Sequence, residues 1–162
     1  MIRILGLDPG LAETGYGIIE EQGGRYVHVC HGVISTPASM ELGERLQFIY
    51  QDIQNLISTY DPEEAGVETL YFARNATSAI PVAEARGVAL LALAQAGLTT
   101  GSYPPQAIKQ AIVGHGKAEK RQVQELVRIL LGLETIPKPD HAADALAAAI
   151  CHANSRGSPL HV

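Results

Sequence analysis

The sequence predicts an α/β domain: a five-stranded mixed sheet, with an antiparallel meander and parallel strands, flanked by helices. Three observations carry this. The chain opens with three strand-like segments joined by short turns, a long amphipathic helix follows, and short strands then alternate with helical stretches to the end.

Met1 to Leu7 is apolar but for Arg3, the pattern of a central strand buried on both faces, and Asp8-Pro9-Gly10 ends it. Gly15 to Glu20 and Tyr26 to Ile34 read as two further strands about the turn Gly23-Gly24. Leu42, Leu46, Ile49, Tyr50, Ile53, Leu56, Ile57 and Tyr60 fall on one helical face, with Ser39 as N-cap and Asp61-Pro62 as the stop. Ala65 to Leu70 is a fourth strand. Thr77 to Ala96 is mainly helix, which Pro81 and Gly87 are expected to kink or split. Thr99 to Tyr103 makes the fifth strand, and helices follow near 105–113, 119–132 and 141–154.

At 162 residues, 46% hydrophobic and 18% charged, the chain can bury one core and is not disordered. We expect a single domain over 1–155 and a short C-terminal tail, 156–162. The longest strongly apolar stretch, Gly87 to Ala94, falls far short of the ~20 residues that span a bilayer. The opening MIRILGLDPG lacks the apolar region and cleavage site of a signal peptide. Cys30 and Cys151 share no CxxC spacing, so reduced thiols, a cytoplasmic location and no membrane partner are expected.

The net charge of −5 argues at face value against a nucleic-acid partner. Its distribution does not. Residues 1–68 carry three basic side chains against eleven acidic ones, and residues 69–162 carry nine against six. Within 109–128, Lys109, Lys117, Lys120, Arg121 and Arg128 face only Glu119 and Glu125.

Asp8 stands at the carboxyl end of the first strand, where open α/β sheets place their ligand sites, although Asp-Pro-Gly is also an ordinary turn. Glu68 follows Ala65-Gly66-Val67 and equally fits a solvent-facing strand position. If the fourth strand lies parallel beside the first, the two carboxylates converge, repel, and call for a divalent cation. In Pro139-Asp140-His141-Ala142-Ala143-Asp144, Asp140 suits an N-cap, and His141 and Asp144 share a helix face. The surrounding alanines let that face approach another surface closely. Asp144 alone would also suit the dipole of a first helical turn.

Val113-Gly114-His115-Gly116-Lys117-Ala118 invites comparison with a phosphate loop and fails it. Ala111 and Ala118 stand where Gly and then Ser or Thr are needed. What remains is a glycine loop entering a basic helix, either a solvated surface or a contact to a phosphate backbone. Tyr71-Phe72, just before Arg74 and Asn75, is either core or a platform for an unpaired base.

Several blocks, in order along nearly the whole chain, resemble the RuvC family of bacterial Holliday junction resolvases. They are Ile4 to Gly10 with Thr14-Gly15-Tyr16-Gly17, and Glu68 and Tyr71 to Asn75 with Ala85 to Ala89. Further on come Lys109-Gln110, Val113-Gly114, Ala118 to Lys120, Gln122 to Gln124, Ala142 to Ala147 and Cys151-His152. The resemblance implies a ribonuclease-H-like fold, a homodimer, and an endonuclease that nicks two opposed strands of a four-way DNA junction in recombination and repair. It implies four metal-binding positions, filled here by Asp8, Glu68, Asp144 and, where the family often has Asp, His141. Asp140 sits one residue early.

The implied cofactor is Mg2+, with Mn2+ able to substitute, and two ions per subunit. One would activate water for in-line attack on phosphorus and the other would steady the leaving 3′ oxygen. Histidine is a better ligand for transition metals than for magnesium, so the second-ion site is where this chain departs from the pattern. By the same resemblance, Tyr71 replaces an aromatic that stacks at the junction centre. Arg74, Lys109, Lys117 and Lys120 are the expected DNA contacts. Thr77 to Ala96 is the expected dimer helix, and a branch-migration motor of RuvA and RuvB is the implied partner. Two other functions compete. One is a junction-binding module without catalysis, with His141 as the disabling change. The other is an actin-like ATP-binding fold, because Asp8-Pro9-Gly10 with Thr14 also fits D-x-G-x-x-x-[ST].

Overall fold

The computed structural model describes residues 1–70 and 76–156. Along the chain run β1 (Ile2–Asp8), β2 (Glu13–Gln22), β3 (Arg25–Ser35), α1 (Leu42–Tyr60), β4 (Glu64–Glu68) and α2 (Ala76–Gln95). β5 (Thr99–Tyr103), α3 (Pro105–Val113), α4 (Lys120–Leu130) and α5 (Asp140–Ser155) follow. The sheet order is β3-β2-β1-β4-β5, antiparallel from β3 to β1 and parallel from β1 to β5. This is the mixed sheet with a meander edge that the sequence predicts.

The most apolar strand takes the middle, with Ile4, Leu5 and Leu7 fully buried. Its alternating side chains feed two cores. On one face Leu5, Leu7, Ile18 and Val67 meet Ile49 and Ile53 of α1 and Ala85, Ala89 and Leu93 of α2. On the other, Ile4 and Ile19 meet Leu146 to Ile150 of α5, Ile108 of α3, and Val123 and Val127 of α4.

The α5 face of the sheet is built on glycine. Gly6 pairs in register with Gly17 on one side and Gly66 on the other, and Gly66 pairs with Gly101, so a glycine row crosses four strands. A methyl at Gly6 would overlap the Ala145 carbonyl, and one at Gly66 would stand 2.6 Å from the Ala148 oxygen. Gly15 is pressed in the same way against the backbone of His141. The buried alanines at 142, 143, 145 and 147–149 supply the matching surface on the helix. With small residues on both sides, α5 seats almost backbone on backbone. That seat fixes where its first turns stand over the carboxyl ends of β1 and β4.

The structure differs from the sequence reading at several boundaries. α1 starts after Glu41 and Ser39 does not cap it; instead Arg45 donates to Thr36 Oγ1 at 2.8 Å, tying the first turn to the chain leaving β3. Asp140 is the first residue of α5 and not its cap, because its carboxylate is drawn sideways to Lys120 and Gln124 of α4. α2 continues through Pro81 and Gly87 without a break. Pro81 removes one backbone donor, a loss outweighed by the packing of Ala85, Ala89 and Leu93 further along. β4 ends at Glu68, two residues before the expected Leu70. Of the expected tail 156–162, only Arg156 lies within the described residues.

Candidate active site

β1 and β4 run parallel with Leu7 beside Val67, so the next residues, Asp8 and Glu68, leave the sheet side by side. α5 brings His141 and Asp144 over them. One ligand atom each from Asp8, His141 and Asp144 lies within 4.8 Å of the others. His141 Nδ1 is 2.8 Å from Asp8 Oδ2, and its Nε2 is 3.9 Å from Glu13 Oε2. The four residues singled out for metal binding thus converge from three separate elements.

The electrostatics show what the corner lacks. Burial first, then the Asp8 and Asp144 carboxylates, push Glu68 up to about 9. Burial and Asp8 push Asp144 up to about 6, against the pull of Lys120 and His141. Partial burial acts to lower the pKa of His141, but the hydrogen bond and charge of Asp8, then Asp144 and Glu13, outweigh it and raise it. Crowding in this half-buried corner raises the pKa of Glu68 and Asp144, a repulsion that a divalent cation would relieve. The donor set, mostly oxygen with one imidazole, fits a hard divalent ion and tolerates a transition metal.

Lys109 and Lys120 line one cavity of about 200 Å³ with Glu68 and Asp144, over an apolar floor that includes Ile108 and Val123. Lys120 is the first residue of α4, held there by a capping box between Glu119 and Gln122. Its Nζ is 3.2 Å from Asp140 and 3.8 Å from Asp144. Burial opposes its charge, yet Asp144 and Asp140 raise its pKa. Lys117 is exposed on the loop between α3 and α4, outside this cavity. Arg128 is paired with Glu125 at 2.5 Å, so the basic stretch is less free than its count suggests. Tyr71 and Arg74, with Phe72 and Asn75, lie outside the described residues.

Glu13 was not read from the sequence as part of this corner. It reaches His141 because the loop after Asp8 folds back: the Gly10 amide donates to Thr14 Oγ1 at 3.2 Å, and the Thr14 hydroxyl donates to the Gly10 carbonyl at 2.6 Å. The D-x-G-x-x-x-[ST] pattern therefore closes on its own hydroxyl, which weighs against the ATP-binding alternative. An acid directly before a buried Thr that closes such a loop is the one signal that would have marked Glu13.

Known proteins share this sequence and fold. The family model for Crossover junction endodeoxyribonuclease RuvC matches residues 4–152. The protein of that name from Treponema denticola is 58% identical over 151 residues, covering 93% of this chain and 85% of its own. Its counterpart from Heliobacterium modesticaldum is 55% identical over 152 residues, 94% of each chain. The structure of Thermus thermophilus RuvC in complex with Holliday junction substrate aligns with a TM-score of 0.90 and 34% identity, over 94% of this chain and 93% of that one. The ribonuclease-H-like fold and more than half of all residues are thus shared across nearly the full length. The chain belongs to the RuvC family of crossover junction endodeoxyribonucleases.

Proposed function

We infer that this protein is a Holliday junction resolvase, an endodeoxyribonuclease that cuts four-way DNA junctions by paired symmetric nicks during recombination and repair. Within a family of that activity, the observation that carries the reading is the convergence of Asp8, Glu68, His141 and Asp144, with two lysines lining the cavity beside them.

Asp8, Asp144 and His141 would hold one divalent cation and Asp8 with Glu68 a second, with Mg2+ as the resident metal and Mn2+ able to replace it. Bound there, the cations make water more acidic and offset charge on the leaving oxygen. The chain's own residues do the rest. Glu68, whose pKa burial and its neighbours raise, would ionise to hold a cation, and Asp8 stands between Glu68 and the α5 pair. Lys120, now facing Asp140 and Asp144, exchanges them for a phosphate, and Lys109 and Lys117 add backbone contacts. Tyr71 would stack at the junction centre, with Arg74 on a neighbouring phosphate.

Residues 1–155 would form one nuclease domain with a short tail, working in the cytoplasm as a homodimer beside the RuvA and RuvB motor. Ile80 and Leu91, 58% and 52% exposed on α2, support that helix as the dimer contact. The test is to incubate the protein with a mobile synthetic four-way junction and with plain duplex, in Mg2+ and then in Mn2+. Paired nicks with ligatable ends on the junction alone are expected. Tight junction binding without cutting in either metal overturns the catalytic reading.

A further inference from the structure

We propose that Arg86 is a DNA-backbone contact, seating a phosphate at the carboxyl ends of β4 and β5; this rests on the junction-nuclease reading above. Arg86 lies on the part of α2 that meets the carboxyl ends of β4 and β5. Its Nη2 donates to Ser102 Oγ at 3.1 Å and to Thr69 Oγ1 at 3.4 Å. Thr69 is the residue directly after Glu68, so the guanidinium stands at the carboxyl end of β4, on the α2 face of the sheet and across it from α5.

What sets Arg86 apart is one enclosed nitrogen. Its Nε is shut off from solvent and meets no acceptor, which holds for no other arginine among the described residues. Among the described residues no carboxylate lies within 4.0 Å of its guanidinium, a lack it shares with Arg25, Arg45 and Arg121, whereas Arg3 has Glu20, Arg128 has Glu125, and Arg156 has Glu21 and Glu64. A guanidinium stays charged at every working pH. Holding it half-buried against two neutral hydroxyls, with one donor unanswered, disfavours the free protein. Those hydroxyls fix the direction of the fork without cancelling its charge; a carboxylate would have done both. An arriving anion would supply the missing countercharge at the guanidinium nitrogens that solvent reaches, and a planar fork of donors suits phosphate oxygens. The polyanion that meets this end of the sheet is the junction strand.

Arg86→Gln and Arg86→Lys test this in the full-length chain. Junction affinity is measured without divalent metal across a series of KCl concentrations, and melting temperature is measured without DNA. Arg86→Gln is expected to bind roughly tenfold more weakly at low salt. Its plot of log affinity against log salt should be shallower by about 0.9, the loss of one phosphate contact. Arg86→Lys should keep the wild-type slope. Because Gln removes an uncompensated charge, the melting temperature should hold or rise. An unchanged slope, or a lowered melting temperature in both variants, overturns the proposal and makes Arg86 a packing residue. A wild-type protein that binds junction no better than duplex overturns the nuclease reading instead, and the slopes on that duplex still decide Arg86.

Discussion

Glu64 and Glu68 stand at the two ends of β4, four residues apart and on the same side of the strand, under opposite ends of α5. Glu64 meets Arg156 Nε at 2.6 Å and His152 Nε2 at 3.3 Å, and Arg156 also reaches Glu21 at 3.6 Å. At the other end, Glu68 meets Asp8 and Asp144 and is pushed up to about 9. One end of the helix closes its charges within the chain, and the other leaves them open. Charges that a protein needs only for its fold are answered by its own side chains. At the open end three carboxylates meet only one lysine and one imidazole, an excess of acid that a divalent cation from outside would balance. The balanced end anchors the helix, and the glycine row beneath it keeps the unbalanced end in place.

Emptying the open end of its central ligand should have the largest effect. Asp8→Asn is expected to lower single-turnover junction cutting by about 10³-fold or more, since each 1.36 kcal/mol of lost transition-state stabilisation is tenfold. Junction binding should stay within a few-fold of wild type. Normal turnover by that variant removes Asp8 from the centre of the site.

Next comes the seat that joins the two ends. Gly6→Ala forces a methyl against the rigid Ala145 carbonyl and should destabilise the protein by about 3 kcal/mol, lowering the melting temperature by roughly 6–12 °C. Gly101→Ala meets side-chain atoms of Tyr103 and His152 first, and not the α5 backbone, so its cost should be smaller, that of displacing the Tyr103–His152 hydrogen bond. Equal losses in the two variants would mean that α5 is not held by backbone contact.

The two glutamates themselves give the next comparison. Glu64→Gln leaves Arg156 without its nearest carboxylate and should cost about 2 kcal/mol, whereas Glu68→Gln relieves repulsion and should stabilise the metal-free protein by about 1 kcal/mol. The pH dependence follows in sign. Glu68 and Asp144 have folded values above their unfolded ones, so the native state binds more protons between about pH 4 and 9. Stability of the metal-free protein should therefore fall as pH rises through that window. The raised pKa of His141 acts the same way, with its contribution present below its unfolded value and lost above its folded one. Melting curves in a chelator should show this decline, Glu68→Gln should flatten it, and saturating Mg2+ should remove it. A flat wild-type profile would mean that the acids are not crowded in solution.

Most of this architecture is written in local patterns. The apolar run of β1, the 3.6-residue spacing of α1 and the alanines of α5 each correspond to one observed element; Asp8, His141 and Asp144 come together as their places in those elements suggest, with Glu68 beside Asp8 and Asp144. What stayed hidden depends on partners distant in sequence. Asp140 looks like a cap until Lys120 and Gln124 of α4 draw its carboxylate away. Glu13 looks like a loop acid until Thr14 folds the loop back onto Gly10. Arg86 sits in an ordinary helical stretch, and only the ends of β4 and β5 show that its charge is unanswered. Spacing along one element is legible in a sequence; compensation between elements is not.

The finest difference at the open end is its one imidazole. His141 stands in a corner already crowded with acid, and its Nδ1 lies 2.8 Å from Asp8. An imidazole adds no negative charge, which limits the repulsion on Glu68 but leaves a softer donor for a hard ion. His141→Asp should therefore favour magnesium over manganese relative to wild type, a shift of several-fold in the ratio of cutting rates in the two metals. It should also raise the retained-proton character of Glu68, steepening the fall of metal-free stability with pH. An unchanged metal ratio would reject His141 as a ligand and leave it the task of placing water beside Asp8.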